Sequence, residues 1–242
     1  MPHTKKCLIL AAGNGTRLRA VSANLPKPLV PFCGRPILEH IVGRAQQAGI
    51  EEFVIVLGYR GDLIRDWFER HWRGSARLTW VKNPDYHKNN GVSALKARDA
   101  LRENFVLLMA DHVFDPEMAR VMTRQELAPG EVILGVDSKI DRIFDIDDAT
   151  KVRRVGDRII DIGKEIKHYD AIDTGMFLCS PALFEDLDSA ARDGNCSLSD
   201  GMLRLASQKR LRALDIGDAE WSDLDTPEAL AHAEAEALDY AA

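Results

Sequence analysis

The sequence predicts an α/β fold built on a doubly wound, mostly parallel sheet, with a β-rich extension over a cleft. Three observations lead there. Continuous apolar runs alternate with stretches of helical periodicity from Leu8 to Arg124, and an unbroken apolar strand is what a parallel sheet covered on both faces requires. Beyond Gly130 the alternation gives way to short strands separated by polar turns, the pattern of antiparallel pairing. The first apolar run also breaks directly into a glycine turn, and in doubly wound sheets ligands sit beyond the carboxyl ends of the strands.

The first strand covers Leu8 to Ala12 and runs into Gly13-Asn14-Gly15-Thr16-Arg17-Leu18. Pro26 and Pro28 flank Lys27, and a proline pushes its predecessor out of the helical region, so the segment stays an open arm until Pro36. Periodicity then predicts a helix from Ile37 to Ala48, a strand from Phe53 to Leu57 and a helix from Leu63 to His71. A strand from Leu78 to Val81 precedes a helix from Val92 to Leu101, and a strand from Phe105 to Met109 leads into a helix from Pro116 to Arg124. Four strands follow: Glu131 to Val136, Lys151 to Val155, Ile159 to Lys164 and Ala171 to Leu178, with Gly156-Asp157 as a hairpin turn. The chain closes with helices from Pro181 to Ala191 and Leu198 to Gln208, a strand from Leu211 to Asp215 and a helix from Pro227 to Asp239. That last helix is capped by Thr226, with proline in its first position. Because the strand from Ile172 to Cys179 has to return to the main core, residues 1–242 are expected to form one domain.

Composition narrows the function classes. With 242 residues and 45% apolar content the chain buries a substantial core, and its net charge of −6 argues against a nucleic-acid partner. No apolar stretch reaches the roughly 18 residues that span a bilayer, and the amino terminus lacks signal-peptide character. The expectation is therefore a soluble cytoplasmic protein with no membrane insertion. Cys7, Cys33, Cys179 and Cys196 are scattered without metal-ligand spacing and are expected as structural thiols. His3, His71, His87, His168 and His232 lie in polar surroundings and are expected to be solvated.

Several segments carry chemistry. The glycine turn either makes only a tight turn or presents its backbone N–H groups to an anion, with Arg17 and Lys27 adding positive charge. The dinucleotide fingerprint fails because Leu18 stands where its third glycine belongs, and no Gly-Lys-Ser/Thr run makes a P-loop. Asp111 ends a buried strand, so it is either a metal ligand or the partner of a nearby Arg or Lys. Asp223 and Asp225 either favour the start of the last helix electrostatically or complete an Mg²⁺ site with Asp111. The polar segment Asn89-Asn90-Gly91-Val92-Ser93 is suited to reading a base edge, although loop and capping contacts explain it at least as well.

These motifs together resemble a known family. Ala12-Gly13, Gly15-Thr16-Arg17-Leu18, Pro26-Lys27-Pro28-Leu29 and Gly34-Arg35-Pro36 match the signature of nucleotidyltransferases that join a nucleoside triphosphate to a phosphorylated sugar or alcohol. Phe105 to Phe114, Ala149 to Val152, Ile162-Gly163-Lys164 and Asp170 to Phe177 look, more narrowly, like the CTP:inositol-1-phosphate cytidylyltransferases. The resemblance implies a Rossmann-like fold, with a nucleotide-binding half over about residues 1–130 and an acceptor-binding half over about 131–242. It also implies the activity, Mg²⁺-dependent transfer of a cytidylyl group from CTP to inositol 1-phosphate. Ala11, Ala12, Gly13, Asn14, Gly15, Thr16 and Ala110 would line the nucleotide, and Asn89, Asn90, Gly91 and Ser93 would read its base. Arg17 and Lys27 would stabilise the reacting phosphates and the departing pyrophosphate. Asp111 would hold Mg²⁺ with Asp223, or else with Asp225. Lys164 would bind the acceptor phosphate, and Asp173, Thr174 and Gly175 would lie by the polyol. A functional link to a separate membrane CDP-alcohol phosphatidyltransferase is implied too. Other phosphorylated acceptors (phosphocholine, an aminoalkyl phosphonate, a sugar 1-phosphate) and a catalytically silent nucleotide-binding regulator are the competing readings.

Overall fold

In the computed structural model, which describes residues 4–20, 22 and 24–239, the alternating apolar pattern of the first strands builds two cores on opposite faces of one sheet. Strand β1 (Lys6–Ala11) sends Cys7, Ile9 and Ala11 to one side and Leu8 and Leu10 to the other, all buried. The chain continues through a two-residue hairpin, β2 (Pro31–Phe32) and β3 (Arg35–Pro36), into α1 (Ile37–Gln47), β4 (Glu52–Leu57), α2 (Gly61–His71) and β5 (Arg77–Lys82). Then come α3 (Asn90–Leu95), β6 (Phe105–Met109), β7 (His112–Phe114), α4 (Pro116–Thr123) and β8 (Val132–Asp137). The second half contributes β9 (Lys151–Val155), β10 (Arg158–Gly163), β11 (Ala171–Cys179), α5 (Leu183–Ala190) and α6 (Leu198–Ser207). It ends with β12 (Leu211–Asp215), β13 (Trp221–Asp223) and α7 (Pro227–Asp239).

Nine of these strands form one sheet in the order β5-β4-β1-β6-β11-β8-β12-β10-β9. Pairing is parallel from β5 through β6 and again between β8 and β12, and antiparallel at β11, between β12 and β10 and in the β9–β10 hairpin, so the sheet is mixed. The β-rich extension is thus continuous with the main sheet, and β11 pairs with β9 as well as with β6 and β8. Buried residues of α1, α2, α4 and α7 cover one face, and those of α3, α5 and α6 cover the other. This is the doubly wound arrangement.

Local differences have local causes. The helix expected to reach Leu101 stops at Leu95 and tightens into a 3-10 turn at Arg98–Ala100, where the Arg98 guanidinium reaches across to the carbonyl of Phe184 at 2.8 Å. The arm after β1 contains short 3-10 turns at Thr16–Ala20 and Lys27–Leu29 instead of staying fully open. Two short pairings escaped the pattern altogether: β2 with β3, and β7 with β13. Cys7, Cys179 and Cys196 are buried and all four thiols are free, with Cys33 exposed. His71, His87, His168 and His232 are exposed, and His3 lies outside the described residues. Among the described residues no helix is long and apolar enough to cross a membrane.

Candidate active site

The carboxyl end of β1 opens into a chamber of about 250 Å³ lined by residues 11–17, Lys27, Ala110 and Asp111. Its shape depends on a close approach: a Cβ at Gly15 would lie 2.6 Å from the Cβ of Lys27, and Gly15 has φ +53°. Glycine at this turn is what lets the arm fold back and bring Lys27 under the loop. Lys27 is almost fully buried. Its Nζ donates to Asp111 Oδ2 at 2.8 Å and to Asp225 Oδ1, while Arg17 donates to Asp225 Oδ2 and, at 2.5 Å, to Asp148 Oδ2. Burial works against the charge of Lys27, but Asp111 and Asp225 outweigh it and raise its pKa.

The β7–β13 ribbon builds the acidic centre. Its register sets Asp223 directly opposite His112 and Trp221 opposite Phe114, which puts His112, Asp223 and Trp221 on one side of the ribbon. The backbone N–H of Leu224 donates to the carbonyl of Asp111 at 2.9 Å, tying the two distant acidic turns together. Asp111, His112 and Asp223 offer ligand atoms that all lie within 4.8 Å of one another. Desolvation works against ionisation of Asp111, but Lys27 and then His112 hold its carboxyl well below the usual range. Desolvation raises Asp223 to about 6 against the pull of His112, with Asp111 and Asp225 adding like charge. His112, desolvated yet beside Asp223 and Asp111, rises to about 9.

A second chamber of about 560 Å³ adjoins the first, sharing Asn90, Met109, Asp111 and Asp225 with it. Lys164, Asp173, Gly175, Asp223 and Trp221 are part of its lining. Lys164 follows β10 and donates to Asp148 Oδ1 at 2.6 Å, so Asp148 links this lysine to Arg17. Asp173 is pushed up to about 6 by desolvation, opposed by the N–H of Gly175, which donates to its Oδ1 at 2.7 Å.

Residues 7–199 match the MobA-like NTP transferase domain. The chain belongs to this family. Among curated NTP transferase relatives, a bifunctional IPC transferase and DIPP synthase of Rubrobacter xylanophilus is 38% identical over 97% of this chain and 52% of its own length. The chain spans about half the length of the curated relatives it matches. Of solved structures, the inositol-1-phosphate CTP transferase from T. maritima superposes with a TM-score of 0.84 at 26% identity, covering 94% of this chain and 91% of that one. A UDP-glucose pyrophosphorylase complexed with UDP-glucose superposes with a TM-score of 0.82 at 20% identity, over 98% and 99% of the two chains. At that identity the likeness shows the fold alone.

Within this NTP transferase fold most of the expected site residues come together, and a few do not. Residues 11–17, Lys27, Asn90, Ser93 and Ala110 line the smaller chamber. Asn89 and Gly91 are not in its lining. The N–H of Asn89 donates to Asn195 Oδ1 at 2.9 Å, and a Cβ on Gly91 would lie 2.7 Å from the Cys196 carbonyl, so this pair docks α3 against the loop before α6. Ser93 Oγ accepts from buried Asn83 at 2.9 Å, and Asn90 Oδ1 accepts from the N–H of Leu198 at 2.8 Å. Thr174 is buried and donates to the carbonyl of Gly135 at 2.8 Å, which fastens β11 to β8 and turns the side chain away from the cleft. Asp225 faces the cations Lys27 and Arg17, outside the Asp111–His112–Asp223 group. Asp148 was the participant without a sequence signal, being one of several aspartates between Asp141 and Asp148; His112 lies in the matched segment Phe105 to Phe114, directly after Asp111, but no role was expected of it.

Gly175 sets a testable constraint. It has φ +72°, and a Cβ there would fall 2.7 Å from Cδ2 of His112. Gly175→Ala is expected to cost about 1–3 kcal/mol through backbone strain and displacement of the imidazole, which a thermal melt reads as a drop of several degrees at this chain length. An unchanged melting temperature would show that the contact is readily relieved.

Proposed function

We propose that this protein transfers a cytidylyl group from CTP to inositol 1-phosphate, giving CDP-inositol and pyrophosphate with Mg²⁺ as cofactor, and that its two halves work as one nucleotidyltransferase unit on the shared sheet. The observation that carries the reading is the meeting of two chambers at Asp111 and Asp225, with Arg17 and Lys27 on one side and Lys164 on the other. The names of the relatives support the choice of nucleotide and acceptor: one is an IPC transferase and another an inositol-1-phosphate CTP transferase. This reading puts the enzyme in the cytoplasm, where CTP is held, and its product is an activated alcohol of the kind a CDP-alcohol phosphatidyltransferase consumes.

The donor set fits a divalent metal ion. Among the described residues Asp223 Oδ1 is buried with no hydrogen-bond partner, a costly state for a carboxylate oxygen unless a cation takes it, and oxygen donors on two carboxylates suit Mg²⁺. Asp111 and Asp223 would hold it, and once bound it would supply charge neutralisation at the α-phosphate. The protein's own groups carry the rest. An oxygen of the acceptor phosphate attacks the α-phosphorus as the bond to pyrophosphate breaks. That phosphate is ionised at neutral pH, so alignment and charge compensation suffice without a general base. Arg17 and Lys27 stabilise the negative charge on the departing pyrophosphate, and Lys164 holds the incoming phosphate against its repulsion. Asp148 and Asp225 pair with these cations, and phosphate oxygens would replace them.

The base preference rests on the likeness of residues 89–93 to a cytosine-reading segment, and one amide there adds a physical reason. Asn90 Oδ1 is taken by Leu198, which leaves the amide N–H groups to donate. Cytosine offers adjacent acceptors at O2 and N3, whereas uracil accepts at O2 and O4 and carries a donor at N3 between them; against the purines the expectation rests on the likeness of that segment. CTP is therefore expected to exceed UTP, ATP and GTP in kcat/KM by about 10²-fold or more. Pyrophosphate release measured over a grid of the four triphosphates and several phosphorylated acceptors tests both choices. Equal use of UTP and CTP would overturn the base assignment, preference for phosphocholine or a sugar 1-phosphate would move the acceptor, and binding without turnover would make the protein a nucleotide sensor.

A further inference from the structure

We propose that His112 is a positioning residue: its imidazole fixes the Asp111 carboxylate beside Asp223, which the ribbon holds, so that the pair receives the metal ion without rearranging. The inference rests on the reading of Asp111 and Asp223 as ligands. Its basis is that the ring is held at Nδ1, on one face and beside Cδ2. Nδ1 donates to Asp111 Oδ1 at 2.7 Å, and Nε2 stands 4.0 Å from Asp223 Oδ2, beyond hydrogen-bond reach. One face stacks on Trp221, with ring centres 5.6 Å apart and planes 8° from parallel. Trp221 is itself anchored, since its Nε1 donates to the buried Asp137 Oδ2 at 3.0 Å, and Asp137 also takes Lys139 at 3.0 Å. The space beside Cδ2 exists only because position 175 has no Cβ.

The four carboxylate oxygens divide the work accordingly. Asp111 Oδ1 takes the imidazole and Oδ2 takes Lys27, so this carboxylate cannot rotate without breaking both bonds. Asp223 Oδ1 has no partner among the described residues, and Asp223 is held in place by its ribbon register opposite His112. Two carboxylates this close repel each other, and the imidazole keeps Asp111 from turning away while the ribbon register keeps Asp223 in place. Partners of this kind, one bond removed from the ion, are worth about 10–100-fold in metal affinity.

Mn²⁺ titrated into the full chain, without nucleotide and followed by electron paramagnetic resonance of the free ion, reads this directly. His112→Leu is expected to weaken Mn²⁺ binding by about 10–100-fold. His112→Asn is expected to recover most of that loss, because its amide nitrogen stands where Nδ1 stands and donates the same bond. His112→Gln carries its amide one carbon farther out and is expected to bind like Leu. Wild-type affinity in the Leu variant overturns the proposal, as does Asn binding no better than Gln, which would make the imidazole a direct ligand or a packing group. If the Leu variant does not fold, the comparison of Asn with Gln decides alone. Asp223→Asn is the separate control: if it leaves Mn²⁺ affinity unchanged, the ligand assignment itself has failed, whatever the His112 series shows.

Discussion

Asp111→Asn is expected to leave the fold in place and to lower kcat by about 10³-fold, a loss of several kcal/mol of charge stabilisation at the reacting phosphate. The substitution removes a charge without changing volume. Asp223→Asn should lose turnover comparably, whereas Asp225→Asn should lose less, because Asp225 is bound to Lys27 and Arg17 and lies outside the candidate ligand group. Stability separates the first two variants. Lys27 and His112 hold Asp111 well below the usual range in spite of its burial, so its charge contributes stability that is present above the ordinary carboxylate pKa of about 4 and lost as pH falls. Asparagine there should lower the melting temperature at neutral pH. Asp223 is raised to about 6 by desolvation, so its contribution has the opposite sign: stability is full below the ordinary pKa and lost as pH rises through 6. Asparagine at 223 should keep or raise the melting temperature at neutral pH while turnover falls. Circular dichroism melts beside pyrophosphate release measure both quantities. Sensitivity at Asp225 with none at Asp223 would move the ligand assignment by two residues along the same turn.

The parts of this molecule legible in the sequence are those in which one local pattern decides the outcome. Leu8 to Ala12 and Phe105 to Met109 are apolar without interruption and short enough to read as strands covered on both faces; both are interior strands of the sheet beside the site. The Gly-Asp turn at 156–157 closes the β9–β10 hairpin with Val155 paired to Arg158, as its residues demand. Thr226 caps the last helix through a bond from the N–H of Ala229 at 3.1 Å. The β7–β13 ribbon was not legible, because strands of three residues carry no periodicity and this pairing joins segments about 110 positions apart in sequence. The same limit explains the site. Sequence brought Asn89, Asn90, Gly91 and Ser93 forward as one polar cluster, but spacing alone does not say which side chains face the cleft, and the packing of α3 against Cys196 and Asn195 turned two of them away. Asp148 becomes distinctive only when the fold sets it between Arg17 and Lys164.

Lys164→Ala is expected to raise KM for inositol 1-phosphate by about 10–100-fold, the value of a charge-assisted bond to phosphate, while changing KM for CTP little. Truncation removes the ammonium that opposes repulsion between acceptor phosphate and triphosphate, so kcat should fall as well through lost alignment. A second effect adds to the first. Lys164 donates to Asp148 Oδ1 at 2.6 Å and Arg17 donates to Asp148 Oδ2 at 2.5 Å. Without the lysine, Asp148 remains as a carboxylate compensated, among the described residues, by Arg17 alone, beside the path of an anionic substrate. The double variant Lys164→Ala with Asp148→Asn removes that surplus charge and should recover part of the loss in KM, whereas two unrelated surface changes would simply add. Steady-state kinetics with each substrate varied in turn reads all three variants. An unchanged KM for inositol 1-phosphate in Lys164→Ala would remove this lysine from the acceptor side, and a double variant no better than the single would show that Asp148 does not oppose the phosphate.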